Sequence, residues 1–397
     1  MNISIIMPPT ASMPLVSGGG VERLCELFIR ENDKSDTPFE ITVISRYDEQ
    51  SEAITKKYKH TKFLYVRVPR SEPPSNQLIS KLKGNDIRYD YLSGAIKLLK
   101  NVQFDRILLE NCPEFAPALA KRFKTKPILH AHSRFFGSDR KGWKKCIKCI
   151  SKYIFVSEFL KNTAVKSGVP EELSTVIRNC VDTAEFDPSR YTDIRHAKRE
   201  QYSLEDGDIL AVFVGRLTPE KGALELVKAV SHSEYTASRL KLLIIGSAQY
   251  GINVHDDYRT ELEVAAAKNR VIFIGSIKSA STARFLARAD MAVIPSVFDE
   301  PAGLPVLEAL SSGLPIIVTD SGGIPEYTEG LDSKAVTVVK RGLGFVGSLT
   351  KAIDSLAERL HSDPELRAGI GTATRDHAKK FSVEEYYAAL RRGISQT

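Results

Sequence analysis

The sequence lacks a long apolar run, and no stretch reaches the roughly 18 to 20 residues that a membrane-spanning helix needs. It also lacks a signal peptide, since it begins with a strand-like segment, residues 2–7, rather than a basic region and a cleavage site. Five cysteines, an odd number scattered through 397 residues, argue against a disulfide framework. These absences predict a cytoplasmic protein without structural disulfides.

Acidic residues are scarce in the first half of the chain. Residues 1–180 contain 30 Lys and Arg against 19 Asp and Glu, whereas residues 181–397 contain 26 against 30. The excess is greatest over residues 121–152, where eleven basic residues accompany one acid, Asp139. Such a segment indicates an anionic partner, and an ordinary solvated surface is the alternative. A nucleic acid is a poor candidate, because the interleaved aromatic residues of a recognisable RNA-binding module are missing.

Within this basic segment, residues 143–150 form an amphipathic pattern. Apolar and basic side chains interleave there: Trp143, Ile147 and Ile150 with Lys144, Lys145 and Lys148. The pattern is typical of a helix that lies on anionic lipid, which predicts peripheral contact with the inner face of the cell membrane. A helix that covers a sheet explains the pattern equally well. The lone pair Cys146 and Cys149 lacks the second pair or histidine cluster of a metal site, so we interpret it as incidental.

Strand-like and helix-like segments alternate along the whole chain. Apolar, β-branched segments predict strands at residues 2–7, 41–45, 62–67, 105–109, 127–131, 153–156, 209–214, 241–245, 271–274, 291–294, 315–318 and 335–338. Helical patterns lie between them, for example at residues 20–31, 156–167, 221–231, 281–288, 304–312 and 347–361. The alternation predicts an α/β protein with two Rossmann-like domains, each a parallel sheet with helices on both faces, facing a central cleft.

A loop-like stretch, residues 179–188, separates the two series of elements. It predicts a first domain over residues 1–182 and a second over residues 183–375. The final segment, residues 376–397, is predicted to pack back on the first domain, because residues 383–392 form an amphipathic helical pattern.

The most informative segment is residues 299–308, in which Glu300 and Glu308 stand eight residues apart. An apolar strand precedes it, and Pro305 suits the first turn of the helix that follows. A loop between a strand and a helix lies at the ligand-binding edge of an open α/β sheet. There the helix N-terminus attracts a phosphate, and the two carboxylates accept hydrogen bonds from a polyhydroxyl group. This combination predicts a site for a sugar nucleotide.

A second motif, residues 215–222, follows the predicted strand 209–214. Gly215 permits a sharp turn, and Arg216 and Lys221 project from the same loop. Two such cations bind a diphosphate and stabilise its departure. A solvent-facing loop is the alternative.

Two glycine loops follow predicted strands, the first of them about ten residues after its strand. Residues 17–20 read Ser-Gly-Gly-Gly before a helix, and residues 321–323 read Ser-Gly-Gly. Consecutive glycines allow the backbone to approach a ligand closely. The first loop is not a dinucleotide fingerprint, because the G-x-G-x-x-G spacing fails. A flexible surface loop is the alternative for it.

Two histidines, His130 and His132, lie on one face at the end of the predicted strand 127–131. A metal site is disfavoured, because no carboxylate or cysteine stands at a suitable local spacing. A polar contact or an acid–base group is the favoured role for one of them, and a structural pair is the alternative. Glu110 and Asn111 end another apolar run, which predicts that they reach the same edge.

Together these motifs resemble those of the retaining glycosyltransferases of family 4, which have the GT-B fold. Residues 300–308 are similar to the family's E-x7-E motif, and residues 215–222 to its G-R-x-x-x-x-K-G loop. The resemblance covers essentially the whole chain, is strong over residues 212–329 and is looser in the first half. It implies that the first domain binds the acceptor and the second the nucleotide sugar.

The resemblance also implies roles for individual residues. Arg216 and Lys221 would bind the donor diphosphate, Glu308 the ribose and Glu300 the transferred sugar. His132, with His130 as second choice, would lie beside the anomeric centre. The other implied donor-side residues are Gly19, Gly20, Gly215, Gly246, Ser276, Ile277, Ala302, Gly303 and Leu304, and the acceptor-side candidates are Glu22, Glu110, Asn111 and His130. The residues assigned to catalysis are His132, Glu300, Arg216 and Lys221.

The implied reaction moves a hexose or N-acetylhexosamine from a nucleotide sugar to a glycan or lipid-linked acceptor, in bacterial surface polysaccharide or lipopolysaccharide synthesis. UDP is the expected nucleotide and GDP the alternative. The resemblance implies no cofactor and no metal. Because Glu300 is assigned to sugar hydroxyls, a front-face mechanism fits better than one with a carboxylate nucleophile. A UDP-sugar epimerase on the same fold is the alternative function.

Overall fold

The structure is a computed structural model of the chain, and it describes residues 1–16, 19–68, 87–135, 143–192, 201–205, 207–233, 239–248, 255–266, 270–277 and 281–396. The chain divides into two compact units. The first is Met1–Arg178 together with Val383–Thr397, and the second is Asn179–Ser382. Ser17 and Gly18 of the predicted glycine loop, and residues 136–142 of the basic segment, lie outside the described residues.

A parallel sheet forms the centre of the first unit. Its strands are β1 (Asn2–Ile6), β2 (Glu40–Arg46), β3 (Thr61–Val66), β4 (Arg106–Glu110), β5 (Ile128–Ala131), β6 (Lys152–Phe155) and β7 (Ser174–Val176). Across the sheet they are ordered β3-β2-β1-β4-β5-β6-β7, and every pairing given for them is parallel. The order reverses between β1 and β4, which is where an open α/β sheet forms a crevice at the carboxyl ends of its strands.

The second unit has the same plan. Its strands are β8 (Ile209–Val214), β9 (Leu240–Ile245), β10 (Val271–Gly275), β11 (Met291–Ile294), β12 (Ile316–Thr319) and β13 (Val336–Val339). Their order is β10-β9-β8-β11-β12-β13, again with parallel pairing. The reversal lies between β8 and β11, so the loops that follow these two strands flank the corresponding crevice.

Helices connect the strands in both units. Those of the first unit are α1 (Gly20–Asn32), α2 (Glu49–Ala53), α3 (Ile87–Leu99), α4 (Ala116–Phe123), α5 (Trp143–Lys148) and α6 (Glu158–Lys166). The second unit contains α7 (Ala223–His232), α8 (Asp257–Ala265), α9 (Thr282–Leu286), α10 (Leu304–Ser311), α11 (Phe345–Ser362) and α12 (Pro364–Ala378). The last helix, α13 (Val383–Ser395), belongs to the first unit.

Strand β8 shows how the apolar pattern builds the second unit. Ile209, Ala211 and Phe213 belong to one buried cluster, which also contains residues of α7 and α11. Leu210 and Val212 belong to a different cluster, which contains residues of α9 and α10. Alternate side chains of a strand point to opposite faces, so a strand that is apolar throughout is buried between two helical layers.

Helix α13 returns the chain to the first unit. The Tyr387 ring lies 5.4 Å from that of Phe28, and its hydroxyl donates to Asn32 Oδ1 at 3.1 Å. Lys152 Nζ donates to the carbonyl of Gly393 at 2.8 Å. The predicted division at residue 376 falls inside α12, where His377 Nε2 lies 2.9 Å from the carbonyl oxygen of Tyr327 in the second unit. The chain therefore crosses to the first unit only after Ser382.

The α/β architecture with two Rossmann-like sheets is confirmed. Each of the twelve predicted strands is present, and its observed bounds differ from the predicted ones by no more than one residue at either end. β7 was not predicted. It has only three residues, Ser174, Thr175 and Val176, which is shorter than the apolar runs of about four to eight residues that predict strands.

Candidate functional site

The two predicted motifs of the second unit lie at the carboxyl ends of β8 and β11. Gly222, just before α7, has φ +72°, and a β-carbon there would lie 1.9 Å from the carbonyl oxygen of Pro295. The Val297 amide donates to the Glu220 carbonyl at 3.0 Å. Only glycine allows this close approach, so residue 222 joins the loop after β8 to the loop after β11.

Lys221 and Glu300 meet at this junction. Lys221 Nζ donates to Glu300 Oε1 at 2.5 Å, and the Ser296 hydroxyl donates to the same oxygen at 2.7 Å. Glu300 is 7% exposed, and Lys221 Nζ also lies 5.0 Å from the centre of the Phe298 ring. The two motifs therefore form one polar cluster, in which a cation and a carboxylate share a partly dehydrated position.

The second predicted cation, Arg216, is also paired. Its Nη2 donates to Glu220 Oε1 at 3.2 Å, and both side chains are about one-third exposed. Burial by itself would raise the pKa of Glu220, but hydrogen bonds from the backbone and Thr218, together with the charges of Arg216 and Lys221, lower it. Both cations thus have a carboxylate partner, and an incoming diphosphate would compete with these two carboxylates for them.

The second glycine loop holds the backbone of Glu300. The Glu300 amide donates to the Ser321 hydroxyl at 3.0 Å, and the Gly323 amide donates to the Glu300 carbonyl at 2.8 Å. Gly322 has φ +49°, and a β-carbon there would lie 2.2 Å from that carbonyl oxygen. The loop was predicted as a ligand-binding turn, and its contacts show that it positions the predicted acidic motif.

Helix α10 begins at the predicted place. Gly303 precedes its first residue, Leu304, Pro305 lies in the first turn, and no side chain of the described residues caps the helix. Its N-terminus therefore presents backbone amides and a positive dipole end toward the same crevice. Glu308 lies in the second turn and Ala302 just before the helix, and both are half-buried. The eight-residue spacing thus places one acid on the loop and the other on the helix.

The remaining predicted donor-side residues follow the neighbouring strands. Gly246 follows β9 with φ +146°, and a β-carbon there would lie 1.8 Å from the carbonyl oxygen of Gly215 after β8. Ser276 and Ile277 follow β10, and the Gly246 amide donates to the Gly275 carbonyl at 2.9 Å. Since all these strands are parallel, the predicted donor-side residues of this unit lie along one edge of its sheet.

One residue of this edge, Arg341, was not predicted from the sequence. Arg341, just after β13, donates from Nη2 to Asp299 Oδ1 at 2.9 Å and from Nε to Asp320 Oδ1 at 3.0 Å. Its Nη1 reaches the Val297 carbonyl at 3.3 Å. Arg341 therefore ties the loop that carries Glu300 to the ends of β12 and β13. The only signal in the sequence was an arginine directly after a predicted strand, which is too common to be diagnostic.

In the first unit, the glycine loop leads into α1. Gly19 precedes the helix and Gly20 begins it, and Gly19 has no side chain with which to cap it. Glu22 lies in the first turn, where burial raises the pKa of its carboxyl against the opposing hydrogen bonds from its own amide and that of Gly19. β1 is the neighbour of β4, so this N-terminus and Glu110 follow adjacent strands.

Glu110, Asn111, His130 and His132 form one hydrogen-bonded cluster at the ends of β4 and β5. His130 Nδ1 lies 3.1 Å from Glu110 Oε2, and His132 Nε2 lies 2.9 Å from the same oxygen. Asn111, with φ 59°, accepts a hydrogen bond from the His132 amide at 2.9 Å. These residues therefore lie together at one edge of the sheet, but Glu110 and His130 are 3% and 0% exposed, so they support the edge from beneath rather than face solvent.

A carboxylate does lie beside the two histidines, although none stands at a suitable local spacing in the sequence. Glu110 is twenty residues from His130 in sequence, yet the two are direct partners in the parallel register of β4 and β5. Glu110, His130 and His132 together offer a carboxylate and two imidazoles at a spacing that a metal ion can use. Sequence spacing missed this group because sheet pairing, not chain neighbourhood, assembles it.

The apolar and the basic side chains around α5 differ in their exposure to solvent. Ile150 is 2% exposed, Trp143 and Ile147 are half-buried, and the Tyr153 hydroxyl donates to the Ile147 carbonyl at 2.9 Å. The lysines of α5, in contrast, are exposed. The apolar side chains thus pack largely against the protein. Across the parts of the chain with described coordinates, no helix combines the length and the apolar character needed to cross a bilayer.

Comparison with known proteins supplies the family. The family Glycosyl transferases group 1 matches residues 194–377, and Glycosyltransferase Family 4 matches residues 18–185. The chain belongs to glycosyltransferase family 4. The first match contains Arg216, Lys221, Glu300 and Glu308, and the second contains the cluster around Glu110.

Among solved structures, the UDP-glucose complex of Anabaena Alr3699/HepE resembles this family 4 chain with a TM-score of 0.76, over the full length of both chains and at 17% identity. At that identity the likeness shows the fold, which is GT-B. Spore coat protein SA of Bacillus subtilis is 29% identical over 253 residues, 61% of this chain and 66% of that protein. Uncharacterized glycosyltransferase MJ1607 of Methanocaldococcus jannaschii is 29% identical over 235 residues, which are 58% of this chain and 56% of that protein. The chain therefore aligns with a little over half to two thirds of the length of these two relatives.

Proposed function

We propose that this protein is a retaining glycosyltransferase that moves a hexose or N-acetylhexosamine from a UDP-sugar to a glycan or lipid-linked acceptor. The contact between Lys221 and Glu300 carries the proposal. It joins the cationic loop, residues 215–222, which suits a diphosphate, to the acidic motif, residues 300–308, which suits a sugar. The two meet at the crevice of the second sheet, beside the uncapped start of α10. A ligand that satisfies all three features has a diphosphate flanked by hydroxyl-rich groups, which describes a nucleoside diphosphate sugar.

Within this proposal, each donor-side group has a distinct task. Arg216 and Lys221 carry the charge of the departing diphosphate, and the amides at the start of α10 bind its oxygens. Glu308, in the second turn of α10, accepts hydrogen bonds from the ribose hydroxyls. Glu300 accepts hydrogen bonds from the transferred sugar through its second carboxylate oxygen, because Oε1 already accepts from Lys221 and Ser296.

The same contacts argue for a front-face reaction. Two hydrogen bonds to Glu300 Oε1 stabilise the carboxylate and make it a weaker nucleophile. In the front-face route, the acceptor hydroxyl oxygen bonds to the anomeric carbon on the face from which the diphosphate leaves. The bond from that carbon to the phosphate oxygen breaks, and the hydroxyl proton passes to the departing phosphate. Configuration is thus retained without a covalent sugar–enzyme intermediate.

The choice of UDP is supported by the UDP-glucose complex of the similar Anabaena structure. A lipid-linked acceptor is supported by the exposed lysines of α5, which suit the anionic inner face of a bacterial membrane. We propose surface polysaccharide or lipopolysaccharide synthesis as the setting of this reaction. In the first unit, His132 is proposed to lie beside the anomeric centre, supported by Glu110 and His130.

The test is turnover of a panel of UDP- and GDP-sugars with a lipid-linked or oligosaccharide acceptor, followed by nucleotide release and by NMR of the product. Lys221→Met and Glu308→Ala should lower turnover at least about tenfold, the effect of losing one charge-assisted hydrogen bond. The exposed residues Lys351 and Glu329 provide the controls Lys351→Met and Glu329→Ala, which should retain activity. Added EDTA should leave turnover unchanged. Full activity in both site variants would refute the site, and donor conversion without any acceptor would indicate an epimerase instead.

A further inference from the structure

Three side chains at the ends of β4 and β5 form a compact, buried cluster of ligand-type atoms. Glu110 Oε2, His130 Nδ1 and His132 Nε2 form a nearly equilateral triangle, with separations of 3.1, 2.9 and 3.2 Å. The side chains of His130, His132 and Glu110 are 0%, 6% and 4% exposed. So small a triangle is consistent either with a bound metal ion or with protons shared among the three groups.

The distances alone do not distinguish these two arrangements. Ligand atoms about 2.0–2.1 Å from a tetrahedral metal ion lie about 3.3 Å from one another, close to the separations found here. A carboxylate that accepts one hydrogen bond from each of two imidazoles produces the same spacing. The deciding atom is the other ring nitrogen of His130.

His130 Nε2 is buried and has no hydrogen-bond partner among the described residues. If Nδ1 bound a metal ion, the proton of the neutral ring would have to lie on Nε2, which would leave a buried N–H without an acceptor. Metal-bound histidines normally donate this second N–H to a carbonyl or carboxylate. If Nδ1 instead carries the proton, it donates to Glu110, and Nε2 keeps only a lone pair. The orphaned atom therefore favours the hydrogen-bonded arrangement with a proton on His130 Nδ1.

The contacts of His132 require the opposite tautomer, with the proton on Nε2. An ionised carboxylate only accepts hydrogen bonds, so the contact of 2.9 Å to Glu110 Oε2 requires a proton on His132 Nε2. The contact of 3.2 Å between the two rings is then a contact of two N–H groups that point at one carboxylate. His132 Nδ1 is left with a lone pair. The ring is held from the backbone as well, because the His132 amide donates to Asn111 Oδ1.

We propose that Glu110 is a positioning residue that fixes His130 and His132 in opposite tautomers, so that His132 presents an unprotonated Nδ1 as an acceptor for a sugar hydroxyl. The hydroxyl ligand rests on the proposed function, whereas the pair of tautomers does not. His132 thus orients a hydroxyl, and it does not act as a proton donor to the leaving group.

The experiment uses the full chain with ring-¹⁵N-labelled histidine at pH 8, where imidazoles of ordinary pKa, about 6.5, are neutral. Long-range ¹H–¹⁵N correlation spectra distinguish the tautomers, and His130→Asn and His132→Asn assign the two signals. The expected result is a protonated Nδ1 for His130 and a protonated Nε2 for His132. Equal tautomers, a doubly protonated ring or metal-type shifts of both rings after one equivalent of Zn²⁺ would overturn the proposal.

Glu110→Gln supplies the second readout, because an amide can donate where the carboxylate only accepts. It should shift the His132 signal toward the Nδ1–H form. The matched control is Glu40→Gln at the exposed pair His60–Glu40, which should leave both signals unchanged. If Glu110→Gln fails to fold, the wild-type spectrum still decides the tautomers, and Glu110→Asp tests the distance to the carboxylate.

Activity separates this proposal from the proposed function. Glu110→Gln should lower kcat at least about tenfold, as for a lost charge-assisted hydrogen bond, while UDP affinity stays within about twofold because Arg216, Lys221 and Glu308, which we propose to bind the diphosphate and the ribose, lie in the second unit. Wild-type kcat in Glu110→Gln would overturn the positioning role. Opposite tautomers in a protein that transfers no sugar would leave the assignment standing and refute the proposed function. Transfer activity with equal tautomers would refute the tautomer assignment and leave the proposed function standing.

Discussion

Lys221 Nζ lies 2.5 Å from Glu300 Oε1, although 79 residues separate the two in sequence. The contact depends on Gly222, whose missing side chain admits the Pro295 carbonyl, and on the loop around Ser321, which holds the Glu300 backbone. The ion pair and the backbone packing of its two loops thus support the same contact between Lys221 and Glu300.

Glu300→Gln should separate sugar recognition from nucleotide binding. Glutamine keeps the shape and an acceptor for Ser296 and Lys221, but it loses the charge that strengthens hydrogen bonds from sugar hydroxyls. We expect turnover of the UDP-sugar to fall at least about tenfold, which corresponds to about 1.4 kcal/mol, while the Kd for UDP changes little. Calorimetric titration and steady-state kinetics measure the two. A parallel loss of UDP affinity would mean that Glu300 contributes to the diphosphate pocket instead.

Gly222→Ala should push the two loops apart. A β-carbon would lie 1.9 Å from the Pro295 carbonyl oxygen, and φ is +72°. Gly330→Ala is the matched control, because its φ is +86° but nothing lies within 4 Å. The left-handed backbone costs about 1–2 kcal/mol in both variants, so the melting temperature should fall in each. Only Gly222→Ala should also lose UDP binding, and equal effects on binding would contradict the junction.

Arg341→Met should loosen the loop that carries Glu300 without removing a group that we assign to the donor. Its guanidinium bonds Asp299, Asp320 and the Val297 carbonyl. Because the side chain is about one-quarter exposed, its effect on stability should be small, of the order of 1 kcal/mol or less. We expect KM for the donor to rise several-fold. Lys340→Met, at the adjacent exposed residue, is the control, and an unchanged KM in Arg341→Met would show that the loop holds its shape without the clamp.

Acid should destabilise the protein through the cluster at Glu110. Burial, reinforced by the neighbouring His130, lowers the pKa of His132 to about 4, although Glu110 opposes the shift. An unfolded histidine titrates near 6.5. Between these values the unfolded chain binds a proton that the folded chain does not, so the free energy of unfolding falls as pH drops from 6.5 to about 4, by no more than about 3 kcal/mol.

Glu110 extends the same trend. Burial alone would raise its pKa, but the charges and hydrogen bonds of His130 and His132 lower it from 4.5 to about 2, so its contribution is lost as pH falls through that range. Chemical denaturation at pH 7.5 and 4.5 measures the contribution of His132, because the contribution of Glu110 is lost only below this range. His132→Asn should show a smaller loss than wild type, and His255→Asn, at an exposed histidine, should match wild type. An equal loss in all three would place the acid sensitivity elsewhere.

The sequence predicted most of the fold because its strands are apolar runs between helical patterns, and both signals are local. The acidic motif and the cation loop were recognisable for the same reason, since each is a short segment between a strand and a helix. The cluster of Glu110 and His130 was only half predicted, because the register of two strands assembles it. Arg341 was missed entirely. Its role depends on where Asp299 and Asp320 lie in space, and no spacing along the chain encodes that.

The central claim is that Lys221 and Glu300 mark a nucleotide-sugar site. Calorimetric titration of UDP into the wild-type chain, Lys221→Met and Lys351→Met tests it most directly. We predict that wild type and Lys351→Met bind UDP equally, and that Lys221→Met binds it at least about tenfold more weakly, a loss of about 1.4 kcal/mol. Equal UDP affinity in all three proteins, or no binding to the folded wild type, would contradict the account.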